Sequence, residues 1–378
     1  MRKGLVICVA TLATFSASVG HAQGSVSLQG FGYPPGELST RALGTAGALG
    51  DIDARSPINP AALAIRPAAQ IYAQYDPEFR TVTAGGVSSG TTTARLPNIG
   101  GVLPMNDHFV IGFSAATLLD RTWETSRSRT QVFGTDTVPF NERLKSDGAI
   151  TDVRFALAYA PNSRIHVGIA LHAFPGSMQL TSNELFPDTA QYRSITQISE
   201  ISFSGNAFSA GVEAEVLPGL SVAVSGRKGG TAKMFANDSL LTTAHIPDSY
   251  SGSIAFTGIP GTTFAIRGQH DRWSQLNSLS YVGTTATDAN DVSAGVESNG
   301  PRLGGFPLLL RVGARRRTLP FQVGTQSVQE TSFGGGIGVP IAYDRVTFDI
   351  AALHTSRTGV AGVTERAYNL SFGLQVHP

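Results

Sequence analysis

The chain has 378 residues, of which 15% are charged, 43 are glycine and one is cysteine. Lysine plus arginine (28) nearly balance aspartate plus glutamate (27), so the basic footprint of a nucleic-acid binder is missing. The single cysteine, Cys8, excludes a disulfide frame and a thiolate metal site.

Arg2 and Lys3, the apolar run GLVICVATLATFSASV, and the small residues Gly20 and Ala22 predict a Sec signal peptide over residues 1–22. Cys8 leaves with that peptide. The remainder is glycine-rich, poor in charge against the usual ~25%, and holds no apolar run long enough for a spanning helix. Such a composition in an exported chain predicts an outer-membrane β-barrel, with a large secreted all-β protein as the rival.

Residues 23–66 contain the stretch RALGTAGALGDIDARSPINPAALA, positions 41–64. Gly44, Gly47 and Gly50 interrupt any helix there, Pro57 and Pro60 close the segment, and neither a long helix nor a strand is expected. A segment too short for a domain, placed ahead of a wide barrel, fits best as a hatch inside the lumen.

From residue 67 to 378 the pattern is a barrel. Alternating runs are joined by tight turns at PMND (104–107), PNS (161–163), LPG (217–219), TGIPG (257–261), SNGPRLGG (298–305) and VPIAYD (339–344). Longer polar connections separate the hairpins near 81–91, 123–149, 179–202, 233–246, 274–290, 318–327 and 357–365. Six short and seven long connections give fourteen antiparallel strands, an even number with the loops sorted by side.

The alternation also assigns faces. Tyr368, Leu370, Phe372, Leu374 and Val376 share one side of the last strand, and Asn369, Ser371, Gly373 and Gln375 the other. The apolar side should meet lipid and the polar side a wet lumen. Trp123, Tyr159, Trp273, Phe321 and Tyr343 lie near strand ends, as interfacial girdles would require. In LLLRVGARRR the phase sends Leu308, Leu310 and Val312 outward and Arg311, Arg315 and Arg317 inward, with Glu297, Glu330 and Asp349 as partners. Glu213, Glu215, Arg154, Arg227 and Arg267 read the same way, as lumenal ion pairs. In RLPNIGGVLP, the residues Pro97, Gly100 and Gly101 weaken one early strand and suit a lateral opening.

Catalytic chemistry is not signalled. His166 and His172 share an inward face six residues apart, with no serine or carboxylate spacing that identifies a triad; a barrel enzyme would have to use one of them. No phosphate loop and no His-based metal motif occurs in the sequence, so neither cofactor nor metal is expected.

At Arg41, Ala42, Leu43, Gly44, Gly47 and Ala48, then Asn59, Pro60 and Ala61, the segment resembles the N-terminal hatch of the FadL family of outer-membrane fatty acid and hydrocarbon transporters. The resemblance extends along the C-terminal strands and implies passive uptake of a hydrophobic small molecule from a hatch-lined pocket to a lateral opening. It implies outer-membrane lipid and the barrel-assembly machinery as further partners. On that reading Leu28, Phe31, Leu38, Leu43, Leu49 and Ile58 would line the pocket, and Arg311 or Arg315 would meet a carboxylate head group. The size is also similar to a PorV-like branch, for which the alternative role is binding or shuttling secreted proteins. The C-terminus LQVHP lacks a terminal aromatic residue, which leaves Phe372 for the assembly signal.

Overall fold

A computed structural model describes residues 31–133, 135–187, 192–279, 285–303, 306–323, 326–341, 345–360 and 362–377. The expected signal peptide and the first hatch residues, Leu28 among them, lie outside the described residues, as does Tyr343.

The described chain begins with short helical turns, α1 (Thr40–Gly44), η1 (Gly50–Ile52) and η2 (Pro60–Ala64). Strands follow: β1 (Gln70–Ala84), β2 (Val87–Arg95), β3 (Asn98–Pro104), β4 (Phe109–Asp120), β5 (Trp123–Phe133), β6 (Asp136–Asn162), β7 (Ile165–Ala173), β8 (Gly176–Leu185), β9 (Ile195–Ser204) and β10 (Asn206–Leu217). Next come β11 (Leu220–Gly229), β12 (Thr231–Ala236), β13 (Ser239–His245), β14 (Ser249–Ile259), β15 (Thr262–Asp271) and the turn η3 (Trp273–Leu279). The last five are β16 (Ala289–Leu303), β17 (Phe306–Val323), β18 (Gln326–Ile341), β19 (Val346–Val360) and β20 (Val363–Val376).

The ladders close on themselves. Antiparallel pairing runs β1, β3, β4, β6, β7, β10, β11, β14, β15, β16, β17, β18, β19, β20 and back to β1, a ring of 14 strands. Closure leaves no free edge strand in this ring. The other strands, β2, β5, β8, β9, β12 and β13, continue the wall at the end with the long connections.

That continuation corrects the sequence reading. The stretches near 81–91, 123–149, 179–202 and 233–246 are largely paired strand rather than polar loop. Beyond the bilayer both faces of a strand are wet, so the apolar alternation that marks a strand fades although the backbone still pairs. The connections at 318–327 and 357–365 are tight hairpins, with ladders reaching Val323↔Gln326 and Val360↔Val363.

Facing follows the expected phase. On β1, Gln70, Tyr72, Gln74, Asp76, Glu78 and Arg80 are buried, while Ile71, Tyr75 and Phe79 are exposed. The same holds on β20 for buried Ser371 and exposed Tyr368 and Leu374, and on β19 for buried Asp349 and exposed Ile350. An apolar outside around a polar inside is stable only where the outside meets lipid, so the ring is a membrane-spanning barrel.

Candidate functional site

Residues 31–64 lie against the inward face of the ring, and glycines in the wall make room for them. A Cβ at Gly168 would stand 2.4 Å from Pro60 C, and one at Gly211 2.0 Å from Asn59 Oδ1. The abundance of glycine in the sequence is thus partly a record of backbone lying on backbone.

Each motif residue of the segment has a defined place. Ser39 caps α1 by accepting from Ala42 N, and Gly47, at φ +102°, reverses the chain where a Cβ would be strained. Asn59 caps η2: its Oδ1 accepts from Ala61 N at 3.0 Å, its Nδ2 donates to Asp51 O at 3.1 Å, and Pro60 takes the first helical position. Gly44 packs against Arg311 and Gly336. Arg41 forms a two-point pair with Glu297 of the wall, Nε to Oε2 2.9 Å and Nη2 to Oε1 2.6 Å. Arg55 joins Asp53 at 3.0 Å, Asp349 at 2.7 Å and Gln375 at 2.9 Å.

The segment also inserts an aromatic peg into the wall. Tyr33 makes one antiparallel bridge with Asp120, and its hydroxyl accepts from Arg357 Nη2 at 2.9 Å and from Arg317, while donating to Glu330 Oε2 at 3.1 Å. The guanidinium carbons of Arg357, Arg317, Arg95 and Arg80 stand 4.8, 5.1, 5.3 and 5.7 Å from its ring centre. Glu78, Asp120, Glu330 and Glu365 neutralise these four cations.

Arg311 and Arg315, expected to meet a head group, are engaged within the wall. Arg311 holds Glu297 Oε2 and Asp349 Oδ1, each at 2.6 Å, and Arg315 clasps Asp291. Of the six apolar residues expected to share one pocket, the five within the described residues are divided. Leu38, Leu43 and Ile58 pack with Ala351 and Leu353; Leu49 packs with Ala48, Ala255 and Ala265; Phe31 belongs to a third group.

That third group is the largest apolar feature inside the barrel, and sequence reasoning missed most of it. Phe31 meets Trp273 edge to face, with centroids 6.2 Å apart and planes at 84°. Around them gather Leu118, Trp123, Phe174, Met178, Ile201, Phe203, Ile246, Leu276, Leu319 and Phe321. Trp123, Trp273 and Phe321 therefore face inward and are not girdle residues; Tyr159 is exposed, its ring 4.8 Å from that of Phe109. The signal for Leu319 and Phe321 was present, since the phase that turns Arg315 and Arg317 inward turns them inward too.

The turn η3, which carries Trp273, is tied down at Asp248. Its carboxylate accepts from Lys228 Nζ at 2.6 Å, Gly229 N at 3.0 Å and Gln275 Nε2 at 3.2 Å. Burial raises the Asp248 carboxyl, but these bonds and the Lys228 charge outweigh it and bring it down to about 2.

At Pro97 the wall is interrupted. β1 pairs with β3 only over Gln70–Ala73 and then with β2 from Asp76, so Leu96, Pro97 and Asn98 form no ladder with β1. Gly100 and Gly101 stand on β3 beside a cavity of about 20 Å³ bordered by Arg55, Leu63, Tyr72 and Arg154. A second cavity, of about 50 Å³, lies between Glu37, Leu38 and Ile58 of the segment and Trp273, Arg227 and Arg315. Each holds at most a few waters, far below the roughly 300 Å³ of a small-molecule pocket.

No family model matches the sequence, and no curated protein is significantly similar to it. Solved structures share the fold at low identity. A Pseudomonas aeruginosa FadL homologue superposes with a TM-score of 0.59 at 12% identity, covering 92% of this chain and 99% of that one. The P. putida toluene transporter TodX gives 0.56 at 12%, over 93% and 99%, and the monoaromatic hydrocarbon channel CymD 0.55 at 13%, over 90% and 97%. The fold is that of FadL-type barrels.

Proposed function

We propose that the protein is an outer-membrane channel for passive uptake of long-chain fatty acids or similar hydrophobic compounds, exported by the signal peptide at residues 1–22. The observation that carries this reading is the apolar cluster around Phe31 and Trp273, the largest of the apolar groups among the described residues inside a barrel that also carries many buried charged and polar side chains. A polar lumen that only had to be blocked would gain nothing from it; a hydrophobic solute leaving water would.

Residues 23–66 act as the hatch. Because the two cavities beside them are too small for a hydrocarbon chain, the hatch must shift for a ligand to descend from the apolar cluster. The interruption at Leu96, Pro97 and Asn98 supplies the lateral way out, where fewer ladder bonds resist parting, although Gly100 and Gly101 beyond it pair with both neighbouring strands. A route through the wall leads an apolar solute directly into lipid.

Binding and uptake of labelled long-chain fatty acid by the wild type, and by a variant lacking residues 24–60, test the proposal. Saturable binding in the wild type that the deletion weakens or abolishes supports it. Absence of saturable binding in both would refute uptake. A deletion strain that loses a secreted protein while still growing on lipid would favour the PorV-like role instead.

A further inference from the structure

Three inward-facing residues from three strands meet around one imidazole. His172 on β7 places Nδ1 2.8 and 2.9 Å from the two carboxylate oxygens of Asp152 on β6, and Nε2 2.8 Å from Ser209 Oγ on β10. An ionised carboxylate only accepts, so Nδ1 bears the proton and Nε2 is the acceptor for the Ser209 hydroxyl. All three side chains are more than nine-tenths buried. The other buried histidine lacks this arrangement: His166 Nδ1 reaches Glu213 at 2.6 Å, and among the described residues no serine bonds its Nε2.

The surroundings supply what an acyl-transfer centre needs besides a nucleophile and a base. The register sets Arg154 directly opposite His172, and Arg227 directly opposite Ser209. Both are buried; among the described residues Arg154 Nε and Nη1 and Arg227 Nε have no hydrogen-bond partner, while Arg227 Nη1 donates to Asp152 Oδ2 at 3.1 Å. Buried donors without acceptors are costly unless something binds them, and cationic donors beside an activated hydroxyl suit a developing oxyanion. Phe174 lies parallel to the His172 ring, 6.0 Å away at 4°, and belongs to the apolar cluster with Met178, Ile201 and Phe203.

We propose that Ser209, His172 and Asp152 form a catalytic centre that hydrolyses esters of apolar acyl chains within the lumen. Ser209 Oγ bonds to the ester carbonyl carbon as His172 Nε2 takes the hydroxyl proton. The carbon–oxygen bond to the alcohol then breaks, and the alcohol departs with that proton. A water molecule attacks the acyl-serine by the same route, giving the carboxylic acid and restoring Ser209. Glu37 of the N-terminal segment, 3.0 Å from Arg227 Nη1, covers the site beside the cavity of about 50 Å³, so loosening Glu37 admits substrate. The activity is independent of uptake, which neither requires nor forbids it.

The test uses the purified full-length chain in detergent, with p-nitrophenyl octanoate as substrate and a fluorophosphonate as covalent probe. The expected result is ester turnover and probe attachment at Ser209 in the wild type, both increased severalfold by Glu37→Ala. Ser209→Ala and His172→Ala should each lower turnover by roughly 10³-fold or more, and His166→Ala should leave it unchanged. Heat-modifiable migration on gels verifies that each barrel is folded. If the folded wild type and Glu37→Ala neither turn over the ester nor take the probe, or if folded Ser209→Ala retains turnover, the proposal is overturned.

Discussion

The carbonyl oxygen of Thr45 lies directly on Gly313: a Cβ at position 313 would stand 2.2 Å from it, and one at Gly295 2.6 Å from the same oxygen. The N-terminal segment is therefore seated by missing side chains in the wall as much as by the ion pairs that Arg41 and Arg55 make with it.

Gly313→Ala should lift the segment without unfolding the ring, because the added methyl opposes a backbone atom that cannot rotate away. Liposomes carrying the variant should swell faster in a small sugar than those carrying the wild type. Gly268→Ala serves as the control, since among the described residues nothing lies within 4 Å of its added Cβ. Equal swelling by Gly313→Ala and wild type would show that the seating does not govern permeability.

The Tyr33 peg divides its hold between hydroxyl and ring. Tyr33→Phe keeps the four guanidinium contacts and loses the bonds to Glu330, Arg317 and Arg357, at a cost of about 1–3 kcal/mol. Tyr33→Ala loses the ring contacts as well and should cost more. Hydrogen exchange at the Asp120 amide, which donates to Tyr33 O at 2.9 Å, reads both steps. Protection at Asp120 that is the same in Tyr33→Ala as in wild type would contradict the anchoring role.

Acid should release η3. The Asp248 carboxyl, brought down to about 2, binds its proton less readily in the fold than in the unfolded chain, whose value is 3.8. Its stabilising effect is thus complete above the unfolded value and is lost as pH falls through about 2. Lys228, His245 and Arg272 surround the carboxylate, at 2.6, 3.6 and 3.6 Å. Trp273 fluorescence, recorded in a Trp123→Phe background, should change between pH 4 and pH 2, and Asp248→Asn should remove that acid step. An unaltered transition in Asp248→Asn would place the titrating group elsewhere.

A period of two is a local property, so the sequence alone could sort side chains into a lipid face and a lumen face: Ile71 from Gln70, Val312 from Arg311. With the tight turns it also determined the number of strands in the ring, and with that the segment left over ahead of them. Phase does not give height along the barrel axis. Height depends on how far each ladder is staggered, which emerges only when the sheet closes. That stagger set Asp152, His172 and Ser209 around one imidazole although they are 20 and 37 residues apart in the chain. It engaged Arg311 with Glu297 and Asp349, and it divided Leu38, Leu49 and Phe31 among three apolar groups. Where the period of two is clear, the sequence determined which way a side chain of the ring points; only closure of the ring decided what it meets there.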